Sequence, residues 1–305
     1  MPERPALPAP NAQAPTPSPM RFFAPPPGIA PPPAAGRAEG LQALLDGEVT
    51  RINGLVCAHV RLDDGTQAGV NADFSVDAAS VIKVPVMVAL YDAWESGEFK
   101  RTPRDEKLVR GMITRSRNTA TNALIDKLGM ARINAWLSSH GFTQTFVQAR
   151  ILDPNYLAPN TVSAFEMTRL MEEIARGQVV SPAASDEMRR LLLAQRWRER
   201  IPAGLPKDAV CGNKTGTMKN LLHDVAFIEA PTGLSYTIAV LIEREDRAAC
   251  TSEAIAELSR RVYEYLTGTS NPAAPAGLIP PPHGETVRGR DFGWTTETRA
   301  AHVSR

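Results

Sequence analysis

Proline placement sets the limits of what this chain can fold into. Thirteen of its 26 prolines fall in residues 1–35 and five more in 271–282, leaving eight for everything between. Each proline removes a backbone donor and fixes φ, so neither end can sustain a helix or a central strand. The ends also carry little apolar surface to bury. Residues 1–37 are therefore expected to form a disordered, polyproline-leaning arm, and 268–305 a disordered tail. Folding is left to residues 38–267, a block the size of one large domain.

Charge and cysteine usage narrow the function classes. The 34 basic residues are balanced by 33 acidic ones, which argues against a surface built for nucleic acid. The longest apolar run, Val84–Tyr91, is interrupted by Pro85 and falls short of the roughly 18–20 residues of a membrane span. Cys57, Cys211 and Cys250 form no C-x-x-C pair, and the histidines at 59, 140, 223, 283 and 302 show no H-x-H or H-E-x-x-H spacing. Neither a disulfide framework nor a metal site is expected, and no cofactor. Every apolar patch near the start is broken by proline, so no export signal is readable and the sequence as written reads as cytoplasmic. The expected partner is a small molecule, with no nucleic acid, no membrane span and a monomeric state.

Periodicity orders the central block. Leu41, Leu44, Leu45 and Val49 share a helical face before Asn53-Gly54. Leu55–Leu62 and Gln67–Asn71 flank the turn sequence Asp63-Asp64-Gly65-Thr66 and predict a hairpin. Helices are expected near 79–96, 105–115, 119–128, 130–139, 163–176 and 182–194, then strands at 209–214, 225–229 and 236–243, and a last helix at 251–267. Strands at both ends with helices between predict an α+β fold. One antiparallel sheet would form from both chain ends, flanked by helices, with an all-helical subdomain inserted at about 98–194.

Three short motifs carry chemistry. In Ser80-Val81-Ile82-Lys83 the hydroxyl and the amine lie three residues apart and share a helix face. A lysine desolvated by Val81, Val84 and Val86 can lose its proton readily and take that of the serine. Alone, the motif also fits a helix cap followed by a surface lysine. Ser116-Arg117-Asn118 places a hydroxyl and a carboxamide two apart on a connection, where they can aim into one cleft or cap the next helix. Lys214-Thr215-Gly216-Thr217 closes an apolar strand. Alternation there puts Lys214 and Gly216 on one face and Thr215 and Thr217 on the other, an edge on which an anionic, extended ligand could lie. Gly212-Asn213-Lys214-Thr215 lacks the glycines of a phosphate loop.

In the order S-x-x-K, S-x-N, K-T-G, these motifs resemble the serine β-lactamase and penicillin-binding protein superfamily, and within it the class A β-lactamase type. The resemblance runs over about 40–267 and includes Ser116–Leu128, which looks like the start of that family's SDN helix. It implies a β-lactamase-like catalytic domain over 38–267. Ser80 would be the acylated nucleophile, Lys83 its proton acceptor, and Ser116 the relay to the leaving nitrogen. Asn118 would bind a substrate amide, Lys214 would support the relay, and Thr215 would meet a substrate carboxylate. Gly216 would leave the strand edge open, and the N–H groups of Ser80 and Thr217 would form the oxyanion hole.

Four departures accompany the resemblance. Arg117 replaces the aspartate of S-D-N. The stretch Arg150–Asn160 lacks the glutamate that activates the deacylating water, with Asp153 its one carboxylate. Glu166 falls on the next helix and reads as solvated. The helical region is short, and His223 stands where an arginine commonly binds the substrate carboxylate, which would make that charge pH-dependent. The implied function is a serine hydrolase acting on β-lactams or similar amides and esters through an acyl-enzyme, with slow deacylation. The alternatives are a D-alanyl peptidase or esterase of the same fold, or a non-catalytic relative that binds a ligand or recruits partners. The resemblance also brings a periplasmic or secreted location as the alternative to a cytoplasmic one. Trp94, Trp136 and Trp197 are expected to pack between helices, Gln195–Arg200 to be a solvated helix end or, as the alternative, to carry substrate contacts near the cleft, and Cys211 to be a reduced core residue whose strand could also leave the thiol near the site.

Overall fold

The structure, a computed structural model, describes residues 34–155, 158–244 and 251–269. Expectations for 1–33, Cys250 and 270–305 lie outside these residues. The first helix, α1 (Ala34–Val49), begins inside the stretch assigned to the N-terminal arm. Strands β1 (Leu55–Leu62) and β2 (Gln67–Val70) form the expected hairpin. A two-residue strand β3 (Val76–Asp77) leads into a 3-10 turn, Ala79–Ile82, and then α2 (Lys83–Glu95). Helices α3 (Pro103–Thr114), α4 (Asn118–Leu128) and α5 (Met130–Ser139) follow, then β4 (Thr161–Val162), α6 (Ala164–Ala175) and α7 (Pro182–Leu193). Strands β5 (Val210–Thr217), β6 (Leu221–Glu229) and β7 (Ser235–Glu243) precede the closing helix α8 (Ser252–Thr267).

The main sheet is antiparallel with strand order β2-β1-β7-β6-β5, so segments from both ends of the domain share it. Alternation splits its side chains between two cores. Val56, Val60, Ile238 and Ile242 pack under α1 and α8 with Leu41, Leu45, Val262 and Leu266. Cys57, Leu241, Val225 and Phe227 face the larger cluster built around α2 and α6. Helix α2 is buried almost all round, which explains an apolar run too short to span a membrane. Its Pro85 falls in the first turn, where a missing N–H breaks no intrahelical bond. Among the described residues no helix is long and apolar enough to cross a membrane.

Local sequence sets most boundaries. The side chains of Thr102, Ser163 and Ser181 accept from the third residue of α3, α6 and α7 in turn. Glu166 occupies the capping-box position of α6 but is buried rather than solvated. Its Oε1 accepts the N–H of Thr143 at 2.6 Å and of Gln144 at 2.9 Å, and its Oε2 accepts the Thr145 hydroxyl at 2.7 Å. That carboxylate braces the turn after α5 against α6. The tryptophans divide: Trp136 is buried, Trp94 half-buried, and Trp197 is 51% exposed on the connection after α7 rather than packed.

Candidate active site

Ser80 lies on the 3-10 turn that delivers the chain into α2, three residues before that helix begins at Lys83. Ala79, just before it, has φ 44°, a left-handed conformation that a non-glycine residue adopts at an energetic cost. The turn is held from both sides. Asp77 Oδ1 accepts the Ala79 N–H at 2.9 Å, and the Asn160 carbonyl accepts the Ala78 N–H at 2.8 Å. The hydroxyl of Ser80 stays half-buried and accepts from Lys83 Nζ at 2.8 Å.

Lys83 is fully buried, which excludes the surface-lysine reading of S-x-x-K. Besides Ser80, its Nζ donates to the Ser116 carbonyl at 2.9 Å, Ser116 Oγ at 3.1 Å and Asn118 Oδ1 at 2.7 Å. None of these partners carries a charge. Burial therefore acts unopposed and lowers the lysine pKa to about 7. At neutral pH roughly half of it is the free amine, which can accept a proton from Ser80.

Ser116 stands between α3 and α4 with φ 54°, the second left-handed residue at the site. Its Oγ accepts from Lys83 on one side and from Lys214 Nζ, at 3.1 Å, on the other. Lys214 also donates to the Thr215 carbonyl at 2.6 Å and is fully buried. Burial, with the neighbouring Lys83 charge, holds its pKa well below the ordinary lysine value. The three motifs thus meet on one hydroxyl. Gly216 makes the meeting possible, because a Cβ there would sit 3.2 Å from Val81 Cγ2 and 3.3 Å from the Ala78 carbonyl oxygen. A Cβ there would have to push strand β5 and the Ser80 turn apart by a few tenths of an ångström. Thr215 is buried and Thr217 exposed at the strand end.

His223 does not join them. It is fully buried on β6, its Nε2–H donates to the Asp77 carbonyl at 2.8 Å, and its Nδ1 accepts the Ile242 N–H at 3.0 Å. Burial lowers its pKa to about 4, so it stays neutral and faces structure rather than a ligand. The cation beside Thr217 is instead Arg200, buried on the connection read from sequence as a solvated helix end. Its Nη2 donates to Thr217 Oγ1 at 2.6 Å, and its Nη1 to the carbonyls of Gly216 at 2.8 Å and His223 at 2.6 Å. Asp224 secures this connection. Its Oδ2 accepts the Ile201 N–H at 3.1 Å, and its carboxylate takes Asn213 Nδ2 at 2.9 Å. The one signal for Arg200 in the sequence was the Arg196-x-Arg198-x-Arg200 run ending at Ile201-Pro202. Cys211 is buried, and its thiol pKa is raised by that burial.

The two ends of the segment from Arg150 to Asn160 are held by amides. Asn122 Oδ1 accepts the Ile151 N–H at 2.7 Å while its Nδ2 donates to the Ile151 carbonyl at 3.1 Å. Asn160 Oδ1 accepts the N–H groups of Gln148 and Ala149 at 2.7 and 3.0 Å. Asp153 Oδ1 accepts the Asn155 N–H at 2.9 Å within its own turn. Among the described residues no carboxylate lies within hydrogen-bonding distance of Ser80 or Lys83.

A serine bonded to a buried lysine, on a turn packed against an antiparallel sheet with a helical insert, is the constellation of the serine β-lactamase superfamily. The chain belongs to the β-lactamase enzyme family, whose model matches residues 38–105 and 102–266. Among solved structures it is similar to PBP-A, at 26% identity and a TM-score of 0.66, over 77% of this chain and 97% of that one. A variant of PBP-A solved as an acyl-enzyme complex with penicillin G matches at 27% identity, with TM-score 0.66 over 77% and 98%. The β-lactamase of Sphaerobacter thermophilus shares the fold, with a TM-score of 0.67 and 24% identity over 76% and 99%. A curated relative, the β-lactamase regulatory protein BlaB of Streptomyces cacaoi, is 29% identical over 93 residues, 29% of this chain. The match spans 30% of that protein's length.

Proposed function

We propose that the protein is a penicillin-reactive serine acyl acceptor that turns over slowly. The observation that carries this is the 2.8 Å bond between Lys83 Nζ and Ser80 Oγ, with no carboxylate beside either group among the described residues. Neutral Lys83 takes the Ser80 proton as Oγ attacks the carbonyl carbon, with the N–H groups of Ser80 and Thr217 receiving the oxyanion. The C–N bond then breaks, and the leaving nitrogen takes a proton through Ser116, which Lys83 and Lys214 flank. Thr215, Thr217 and Arg200 receive a carboxylate on the substrate. Asn118 keeps its carboxamide oxygen on Lys83, which leaves its NH2 for a substrate carbonyl.

Hydrolysis of the resulting ester needs a water and a base to deprotonate it. The loop 150–160 presents Asp153, and that side chain is engaged by the Asn155 N–H. The acyl-enzyme is therefore expected to accumulate. The penicillin G acyl-enzyme solved for the PBP-A variant supports this chemistry on a related site. A second reading, favoured by the resemblance to a regulatory protein, makes the long-lived acyl-enzyme itself the useful state.

The test is intact-mass measurement after incubation with benzylpenicillin, on the wild type and Ser80→Ala. One added penicillin on the wild type alone, persisting for minutes, is expected. A folded wild type that gains no mass would refute the proposal.

A further inference from the structure

The nucleophile follows directly on a residue held in an unfavourable conformation. Ala79 is buried with φ 44°, where the Cβ of a non-glycine residue crowds the following carbonyl oxygen. Rotation out of that conformation would swing the peptide that joins Ala79 to Ser80. That peptide carries the Ser80 N–H, one of the two donors assigned to the oxyanion, and its swing would also displace Ser80 Oγ from Lys83.

The bond made by the Ala79 N–H itself goes to a side chain: Asp77 Oδ1 accepts it at 2.9 Å. Asp77 is in turn fixed through its backbone. Glu243 Oε1, at the end of β7, accepts the Asp77 N–H at 3.3 Å, and the Asp77 carbonyl accepts His223 Nε2–H, from β6, at 2.8 Å. Asp77 also pairs with Thr161 between β3 and β4. These three ties survive any change of the Asp77 side chain, so the carboxylate alone carries the fixed frame of the sheet two residues on to Ala79. Among the described residues Asp77 makes no hydrogen bond to Ser80.

We infer that Asp77 is a positioning residue for acylation, whose carboxylate keeps Ala79 left-handed and so fixes the direction of the Ser80 N–H and hydroxyl. This rests on the reading of Ser80 as the acyl acceptor. The bias against a left-handed non-glycine residue amounts to about 5- to 30-fold in population. Without the carboxylate the reactive turn is depleted by a factor of that order, whereas a glycine at 79 adopts either hand about equally. The groups proposed to hold the substrate, Asn118, Thr215 and Arg200, lie on other segments. Asp77 therefore governs the rate of the bound complex and not its affinity.

The experiment follows the nitrocefin burst in stopped flow over a range of concentrations, which separates the limiting acylation rate from the half-saturating concentration. Melting temperatures are measured alongside. Asp77→Ala is expected to lower the limiting rate about fivefold or more, with half-saturation unchanged within about twofold. Asp77→Asn keeps an acceptor at Oδ1 and should stay within about twofold of wild type. Ala79→Gly placed on Asp77→Ala should restore the rate, because glycine needs no restraint to be left-handed. Where Asp77→Ala does not fold, Asp77→Glu replaces it: the charge is kept but the acceptor is moved by one methylene, and the same loss is expected. A lower melting temperature with an unchanged limiting rate overturns the inference, as does a loss that Ala79→Gly leaves unrestored or that Asp77→Asn shares. Each of these leaves acylation of the wild type standing. Failure of the wild type to be acylated at Ser80 overturns the inference together with the function it rests on.

Discussion

Acylation of Ser80 should slow about tenfold between pH 8 and pH 6, because its base is a lysine with a pKa of about 7. Lys83 reaches that value through burial alone, since its four partners are a serine hydroxyl, a carbonyl, a second hydroxyl and a carboxamide oxygen. The neutral fraction is about 0.9 at pH 8 and about 0.1 at pH 6, which gives the factor of ten. A lysine at its ordinary pKa would instead make the rate climb tenfold per pH unit to pH 9 and beyond. The two cases separate above pH 8, where a plateau is expected. The assay is the stopped-flow burst of nitrocefin opening, fitted at each pH. Lys214 shares Ser116 Oγ with Lys83, so the inflection belongs to a coupled pair. Lys83→Met assigns it, by removing the inflection and lowering the rate by about 10²–10⁴. A rate flat from pH 5 to 9, or one still climbing at pH 9, would show that Lys83 is not the base.

Three further outcomes are expected. Arg200→Ala should lower kcat/KM for a penicillin by about 10- to 100-fold, the equivalent of one charge-assisted hydrogen bond of about 1.5–3 kcal/mol. The loss for an uncharged ester should be far smaller, and equal losses would place Arg200 outside ligand binding. Glu166→Ala should destabilise the fold by about 2–3 kcal/mol in urea denaturation, because it strands the buried Thr145 hydroxyl and removes the acceptor of the part-buried Thr143 and Gln144 N–H groups. A change below about 0.5 kcal/mol would mean the turn is satisfied another way. Asp224 is buried and its pKa is raised to about 6, so the folded state holds its proton to higher pH than the unfolded chain does. Stability from this group is present at low pH and lost as pH rises from about 4 to 6. Asp224→Asn should therefore gain about 2–3 kcal/mol relative to wild type between pH 4 and pH 7, and a pH-independent difference would refute the assignment.

The motifs were legible because each places its chemistry within four residues, where helix or strand geometry alone decides which side chains meet. Helix positions were legible for a related reason. The apolar period within each segment marks them, and in the structure Thr102, Ser163 and Ser181 cap three of them. Strands β3 and β4 were not, because two residues cannot show alternation. The 3-10 turn at Ser80 escaped notice since residues three apart share a face in either helix type. Glu166 looked solvated because the donors that bury it come from residues more than 20 positions earlier. Arg200 is the clearest case. Its role depends on Asp224, Asn213 and Thr217 converging on it from two strands, and no local pattern encodes that. His223 lies on β6 two residues before the strand expected at 225–229, and the sheet turns it inward toward Asp77 and Ile242.

A carboxylate beside Lys83 would undo the arrangement, and Asn118 is the place to put one. Asn118 Oδ1 lies 2.7 Å from Lys83 Nζ, so Asn118→Asp sets a negative charge against the ammonium with almost no change of shape. An opposite charge at this range favours the protonated amine and carries the acylation inflection upward by about one pH unit or more. At pH 7 acylation should then slow by roughly fivefold or more and recover above pH 9. If Asn118 served only to bind the substrate amide, the rate would fall at every pH and the inflection would stay near 7. The same reasoning bears on the loop 150–160. A glutamate there would help a water attack the acyl-enzyme, yet its charge near Lys83 would hold the lysine protonated unless that proton were shared. On the proposed function, burial alone readies Lys83 to deprotonate Ser80, and among the described residues the later water has no comparable base.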